Sequence, residues 1–528
     1  MTKKNNFLPK FLERLQNNNI VLQTINEHQF IIVEKYFWEK CSAIFQDLKC
    51  RFVALWANDN LSEIMVTAAF EHGGLYYFLR TNLKPDDLQL ASLTPLFPGA
   101  NRLERHTKDM FGIEFTNHPD KRRWIRHQAW HEDEYPLRKN FIASQFSENN
   151  EKKITPADSE YQFQKAHGTG IFEIPVGPVH AGIIEPGHFR FQVAGEDVIN
   201  LEEHLGYVHK GIEKIAEGRN IDGLLRLANR ISGDSALSYS WATAKAIENI
   251  ATTEVPERAL FLRAVMSERE RIANHLWDIA AVCNDVGFSF AYFQLGRLRE
   301  LFVRNNYTYF GHRLLMDCIC FGGVNHDLST TQIIEMHKEL SELKKELTEI
   351  YPILEDNSSL HDRIKTTGIL SFETAMKLGI TGFAGRASGI KFDLRVDAPY
   401  PPYNQLKINV PVFSAGDVLA RIKVRGNEIL SSITLLEELL TKLPNGSIKS
   451  SNTITPIIGE GIGLIEGWRG GIFVYVAFKE NGLVDRFFPR DPSWFSWMAL
   501  EQLIHGNIVP DFPVCNKSIN GTYSGVDL

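Results

Sequence analysis

Apolar and polar positions alternate in RFVALWA at 51 to 57 and in GLYYFLR at 74 to 80. A period of two sends successive side chains to opposite faces of an extended chain, so both stretches predict strands. Short helical patterns surround them, and residues 1 to 143 are expected to form an α+β domain. The segment SQFSENNEKKITPADSEYQ, at 144 to 162, is polar, charged and almost free of branched apolar residues, as connectors are. It predicts a linker over 144 to 165 and a second domain over 166 to 528.

The second domain opens with GIFEIPVGPVHAGIIEPGHFRFQVAGEDVINLEEHLG, short strand patterns broken at Pro-Gly and Gly-Glu, which predicts a small antiparallel sheet. From 207 to about 355 the helical period takes over. In VPERALFLRAVMSERERIANHLWDIAAV, residues Leu262, Val265, Ile272, Leu276 and Ile279 share one face, and Pro256 suits a first turn. A second long amphipathic helix carries Ile333, Leu340, Leu343, Leu347 and Ile350, with Glu342, Lys344, Lys345 and Glu346 on a solvated face. Beyond 360 short strands, glycine-rich turns and one or two helices are expected, including a helix near 415 to 441. The run GEGIG at 459 to 463 lacks the spacing and following helix of a dinucleotide fingerprint and reads as a turn. The fold class is therefore α+β: an α+β first domain, then a mainly helical domain with small antiparallel sheets at both its ends.

With 528 residues, 44% of them apolar, the chain is long enough for more than one core. A formal net charge of -7 argues against nucleic acid as the main partner. The six cysteines, at 41, 50, 283, 318, 320 and 515, form no C-x-x-C pair and fit a reducing compartment. The amino end lacks the apolar core of a signal peptide, and no run reaches the roughly 18 apolar residues of a membrane span. Any membrane attachment is expected to come through other subunits.

One stretch carries candidate chemistry: RISGDSALSYS at 230 to 240, where Ser232 and Ser235 stand at the spacing of a C-x-x-C pair. Other segments place it in a family. ERHTKDMFGIEFTNHPDKRRW, at 104 to 124, with YPLRKNF after it, resembles the 30 kDa subunit of respiratory complex I. There Phe111, Gly112 and Ile113 are expected to pack a helix end, and Arg122 and Arg123 to pair with acids across a docking surface. GPVHAGIIEPGHFRF, LGYVHKGIEKIAEGR, RASGIKFDLRVDAPYPPY and EGWRGGIFVYV resemble the 49 kDa subunit of complex I. They resemble still more the large subunit of membrane-bound group 4 nickel-iron hydrogenases of the formate hydrogenlyase type, in which the two domains are fused in this order.

Relatives of that type hold nickel and iron with four cysteines in two C-x-x-C pairs. The resemblance aligns the first pair with Ser232 and Ser235 and the second with Thr522 and Gly525. Hydroxyls are hard, neutral, weakly acidic donors and glycine offers none, so a nickel-iron centre of the known kind is chemically excluded. The chain ending three residues after Gly525, without the extension that relatives lose after nickel insertion, fits that expectation. Ser232 and Ser235 are then the remains of a metal site that cap or line a helix start. Asp234 between them is expected to refill the pocket with a carboxylate, facing Arg230, Arg395 or Arg469.

Glu213 in HKGIEK matches the glutamate that passes protons in relatives, a role suited to a buried carboxylate of raised pKa; a helix glutamate paired with a neighbouring lysine is the alternative. His180 in GPVH matches the histidine of the complex I quinone site, whereas the tyrosine of that site aligns with Gly233, and Tyr239 lies six residues on. His188 and His209 read as residues that satisfy strand or helix ends, and Cys318 and Cys320 as strand residues or core fillers.

The resemblance implies a peripheral-arm subunit of an ion-translocating oxidoreductase complex, on the cytoplasmic face of the inner membrane and without a cofactor of its own. Implied partners are a small subunit with a 4Fe-4S cluster beside the cavity, a ferredoxin-like subunit and antiporter-like membrane subunits. A quinone-reducing subunit and a non-catalytic coupling scaffold are the alternatives.

Overall fold

The computed structural model describes residues 7–18, 20, 22–25, 30–126, 130, 133–142, 161–181, 184–451 and 457–528. Most of the expected linker, 144 to 160, lies outside them.

In the first domain a five-stranded sheet runs in the order Leu22–Ile25, Phe30–Val33, Leu75–Leu83, Ile64–His72, Arg51–Asp59. All its neighbours are antiparallel except Phe30–Val33 beside Leu75–Leu83, which are parallel. The strand Arg51–Asp59 does not alternate in burial as its sequence suggests, since every residue after Arg51 is buried. Toward one side Phe52 and Phe70 meet Phe97, and Phe45 stacks on Phe70 at 4.2 Å. Trp56 meets Phe473, Tyr475 and Phe488 of the second domain, with ring centroids 5.3, 5.0 and 5.9 Å away. A strand covered on both faces has no solvent side left to require polar residues. Each such aromatic pair contributes roughly 0.5–1.5 kcal/mol beyond the area it buries, so this cluster holds the two domains together more firmly than an exposed ion pair would.

The helix Asn101–Phe111 ends at Gly112, whose φ of 76° is the left-handed conformation favoured by glycine. A side chain there would also strike the Tyr135 ring, 2.6 Å from the ideal Cβ. The expected docking role of Arg122 is realised: it pairs with Asp120 and reaches Glu202 of the second domain.

The strands Ile171–Val176, His188–Ala194 and Asp197–His204 form the antiparallel sheet that opens the second domain. The central helices are Ala236–Ala251, Glu257–Asp285, Ser289–Phe310, Thr330–Glu355 and Val418–Thr441, and Pro256 stands at the N-cap of the second of these. The five apolar residues expected to share a face of Glu257–Asp285 are all buried. So are Arg263, Glu268, Arg269, Glu270, Arg271, His275 and Asp278, which makes this helix a buried axle rather than an amphipathic surface helix. The 360–415 region is more helical than its sequence suggests, with Phe372–Leu378, Gly382–Ala387 and Leu394–Asp397, segments too short to show a period.

GEGIG is not a turn. It begins the strand Gly459–Gly467, which pairs antiparallel with Gly470–Phe478 and lies against the helix Ala236–Ala251. A Cβ at Gly461 would stand 2.4 Å from the Ala246 carbonyl oxygen, and one at Gly463 1.8 Å from that of Ala242. The glycines let strand and helix backbones touch along the middle and later turns of that helix.

Candidate functional site

The loop that carries Ser232 and Ser235 is fixed from both ends. Before it, the Lys210 ammonium donates to the carbonyls of Arg230 and Ile231 at 2.9 and 2.7 Å. After it, the helix Ala236–Ala251 begins, and its first amides are bound by another residue: Leu237 and Ser238 N–H donate to Glu270 at 2.8 and 3.2 Å. The two serines occupy N-cap positions and so line the helix start, but their side chains cap neither turn. The Ser232 hydroxyl donates to Asp234 Oδ1 at 2.6 Å, and the Ser235 hydroxyl approaches the same oxygen at 3.3 Å.

Of the three arginines that could face Asp234, Arg469 does. Its Nη1 and Nη2 donate to Oδ1 and Oδ2 at 3.0 and 2.5 Å, its Nε donates to the Asn520 carbonyl, and its plane lies over Trp468. Arg230 turns outward to Asp317, and Arg395 is bound to Asp393 and Glu268. Burial would raise the Asp234 pKa, but Arg469 and the serine hydroxyls bring it below the ordinary carboxylate value. The same pairing overcomes the burial of Arg469 and holds its guanidinium charged. This fork-to-fork pair ties the loop at 234 to the turn at 468–469 and the segment at 520.

The carboxyl-terminal pair lies alongside. Thr522 Oγ1 is 3.0 Å from Ser232 Oγ and accepts the Gly525 N–H at 3.1 Å. The Thr522 N–H donates to Ser493 Oγ, and Trp497 Nε1 donates to the Thr522 carbonyl. The four aligned ligand positions are thus brought together in space, as the resemblance requires, but they do not fit two metal ions. Ser232 and Thr522 bond directly to one another. Gly525 is closed off: an ideal Cβ there would lie 2.6 Å from Tyr239 Oη and 2.5 Å from Thr522 Cγ2. The Tyr239 hydroxyl donates to Asp491 Oδ2 at 2.7 Å, so the volume a thiolate at 525 would need is taken by a buried, hydrogen-bonded phenol. Burial and the Asp491 charge both push the Tyr239 pKa well above its usual value, and it stays neutral.

A cavity of about 320 Å³ opens beside these residues, lined by Ser232, Gly233, Asp234, Arg469 and Thr522 among others. Gly233 is not required by its backbone. A Cβ there would make ordinary contacts, 3.6 Å from Leu314 and 3.7 Å from Met316, so the missing side chain leaves room rather than relieving strain. His180 stands at the edge through Tyr523, whose hydroxyl is 3.4 Å from His180 Nε2, and burial together with Lys517 lowers the His180 pKa.

Glu213 does not line this cavity. It is buried between domains, accepting from Arg486 at 2.7 Å and meeting His106 Nε2 at 2.8 Å. Burial alone would raise its pKa; Arg486 and His106 overcome that and hold it at about 2. The expected raised value is therefore corrected, and its partners are an arginine and a histidine distant in sequence rather than a neighbouring lysine.

A carboxylate with a raised pKa does hold the start of the helix Ala236–Ala251: Glu270, which the sequence did not single out. Burial pushes it up to about 7, opposed by the Ser238 hydroxyl and the two backbone amides. The folded chain then holds this proton more tightly than an unfolded one with a value near 4.5. The stabilising contribution is complete below about pH 4.5 and is lost as pH rises through about 7, by roughly 3 kcal/mol. Glu270→Gln, which keeps an acceptor for the amides, is expected to gain stability relative to the native chain between pH 5 and 8. Urea midpoints at the two pH values measure this, and a pH-independent difference would contradict it.

Comparison with known proteins agrees with this layout. Residues 31–147 match the respiratory-chain NADH dehydrogenase 30 kDa subunit family, and residues 285–458 match the 49 kDa subunit family. Formate hydrogenlyase subunit 5 of Escherichia coli K12 is 29% identical over 452 residues, 85% of this chain and 79% of that one. The carbon monoxide-induced hydrogenase of Rhodospirillum rubrum is 32% identical over 351 residues, 66% of this chain and 97% of that one. The C/D subunit of the NADH-quinone oxidoreductase of Phocaeicola vulgatus is 32% identical over 410 residues, 74% of this chain and 78% of that one. Among solved structures, a chain of a membrane-bound sulfane sulfur reductase, an archaeal respiratory membrane complex, superposes with a TM-score of 0.65 at 26% identity, covering 68% of this chain and 99% of that one.

Proposed function

The chain belongs to the family that unites fused 30 kDa- and 49 kDa-type NADH dehydrogenase subunits with membrane-bound hydrogenase large subunits. From that premise we propose that it is the peripheral-arm subunit of a membrane-bound, ion-translocating oxidoreductase complex that works without a nickel-iron centre. The observation that carries this reading is Tyr239 in the place of a thiolate at 525, beside a cavity ordered by Asp234 and Arg469. The chemistry follows from that exchange: the pocket offers hydroxyls, a carboxylate and a guanidinium, which bind and orient a polar reactant but do not bridge soft metals. Electrons would have to arrive from a cluster held by a neighbouring subunit.

Among the described residues no helix is long and apolar enough to cross a membrane, so the membrane arm belongs to partners in this reading. Those partners are a small subunit with a 4Fe-4S cluster, a ferredoxin-like subunit and antiporter-like membrane subunits, at the cytoplasmic face of the inner membrane. An affinity-tagged chain, isolated from native membranes in mild detergent, is expected to bring down an iron-sulfur subunit and multi-spanning subunits, and alkaline carbonate to release it. Recovery of the chain alone from the soluble fraction would contradict the assignment.

Quinone reduction is the second reading, and it rests on the contact between His180 and Tyr523. Tyr239 is committed to Asp491, and the charged lining of the cavity suits a quinone headgroup poorly, because such sites are mostly apolar.

A further inference from the structure

The cavity beside Asp234 has a charge pattern that its own residues leave unbalanced. Five charged side chains line it: Arg299, Arg469 and Lys517 against Asp234 and Glu185. Arg469 is taken up by Asp234. Glu185 accepts the Ser524 N–H at 3.1 Å and makes no ion pair among the described residues. Arg299 and Lys517 have neither a hydrogen bond nor an ion pair from the described residues. The Arg299 guanidinium lies 5.3 Å from the Trp277 ring centroid, and its Nε is buried without an acceptor. Burial lowers the Arg299 pKa, with Glu300, Asp278 and Asp234 opposing only at longer range. Lys517 acts on Asp285 and on His180 from a distance without bonding either.

A half-buried guanidinium without an acceptor is costly, and a cation left so at a cavity wall is where an anion gains most. At roughly 30 Å³ per water molecule the space of about 320 Å³ holds far more than a single ion, so several heavy atoms fit. We propose that this cavity is a binding site for a small anion, an oxyanion or a carboxylate, held between Arg299 and Lys517. Trp277 lies against the guanidinium, and the Asp234–Arg469 pair lines the same cavity. The site stands on the charges of this cavity and not on the membrane-complex reading.

Titration calorimetry on the intact chain, with sulfate and succinate as probes and ionic strength held by a salt of a bulky anion, tests it and separates the inorganic from the organic source. One probe ion per chain is expected to bind saturably. Arg299→Gln and Lys517→Gln are each expected to weaken it at least tenfold, and Arg299→Lys to retain most of it. Because Arg299 makes no hydrogen bond or ion pair among the described residues, Arg299→Gln is also expected to melt no lower than the native chain in anion-free buffer and to lose the anion-dependent rise in Tm. Failure of both probes to saturate, binding that survives both Gln substitutions, or a lower Tm of Arg299→Gln without anion would overturn the proposal.

Discussion

Glu213→Gln is expected to destabilise the chain by about 3–5 kcal/mol. The carboxylate sits on the short helix Ile212–Ala216, His106 on the first domain's helix Asn101–Phe111, and Arg486 on the carboxyl-terminal strand Val484–Arg490. All three side chains are 2–3% exposed, so water cannot replace a lost partner. Arg486 also donates from Nε to the Ala57 carbonyl at 2.8 Å, on the strand that carries Trp56, so the same residues seat one domain on the other. The amide of Gln would leave the Arg486 cation without its counter-charge. Equilibrium urea unfolding checks this, and the loss should shrink as pH falls toward the Glu213 value of about 2, where the native carboxylate is itself protonated. A loss under about 1 kcal/mol at neutral pH, the range of an exposed pair, would show that the pair is not what seats the domains. Loss of turnover in this variant says nothing about proton transfer until its stability is known.

The second expected result concerns Gly525. Gly525→Ala should cost about 1–3 kcal/mol by overpacking, and Gly525→Cys more, because Tyr239 Oη and Thr522 Cγ2 stand 2.6 and 2.5 Å from the position of the new Cβ. Tyr239→Phe alone should cost about 1–3 kcal/mol, because Asp491 Oδ2 loses its phenolic donor. The double variant should be less destabilised than the sum of the two, since removal of the hydroxyl takes away one of the two close contacts, leaving only that with Thr522 Cγ2. Simple additivity in the melting free energies would mean that Tyr239 does not occupy the position. The same contact predicts that cysteines at 232, 235, 522 and 525 do not restore a metal pocket while Tyr239 remains.

The long-period elements could be read directly from the chain. The helix expected near 415 to 441 is Val418–Thr441, and the one carrying Leu340, Leu343 and Leu347 is Thr330–Glu355, because twenty or more residues repeat the period several times. Glycines misled where they serve packing: those of GEGIG lie in a strand because the carbonyls of Ala242 and Ala246 come close, a contact across more than two hundred residues that no local pattern announces. The buried charges of Glu257–Asp285 were not foreseen. Charged side chains are seldom fully buried unless paired, and Glu268, Arg269, Glu270 and Arg271 are buried because partners such as Arg395, Glu339 and Ser238 come from distant segments. Glu270 was missed for that reason, and its N-terminal seat under the helix Ala236–Ala251 has no sequence signal.

In the site the division is similar. The pairing of Asp234 with an arginine was legible because an arginine left unpaired in a buried cavity is costly, and the choice of Arg469 over Arg230 and Arg395 needed the fold. The role of Tyr239 was not legible, since spacing along one helix does not tell which of two cavity walls a side chain reaches. His180 reaches the cavity edge only through Tyr523, a neighbour of Thr522 in the chain and of His180 only in space.

Metal analysis of the complex purified from its native membranes, by mass spectrometry normalised to this chain, tests the account most directly. Iron in whole clusters from partner subunits with nickel below about a tenth of an atom per chain is the predicted result; one nickel per chain, lost when Asp234 or Thr522 is replaced, would contradict it.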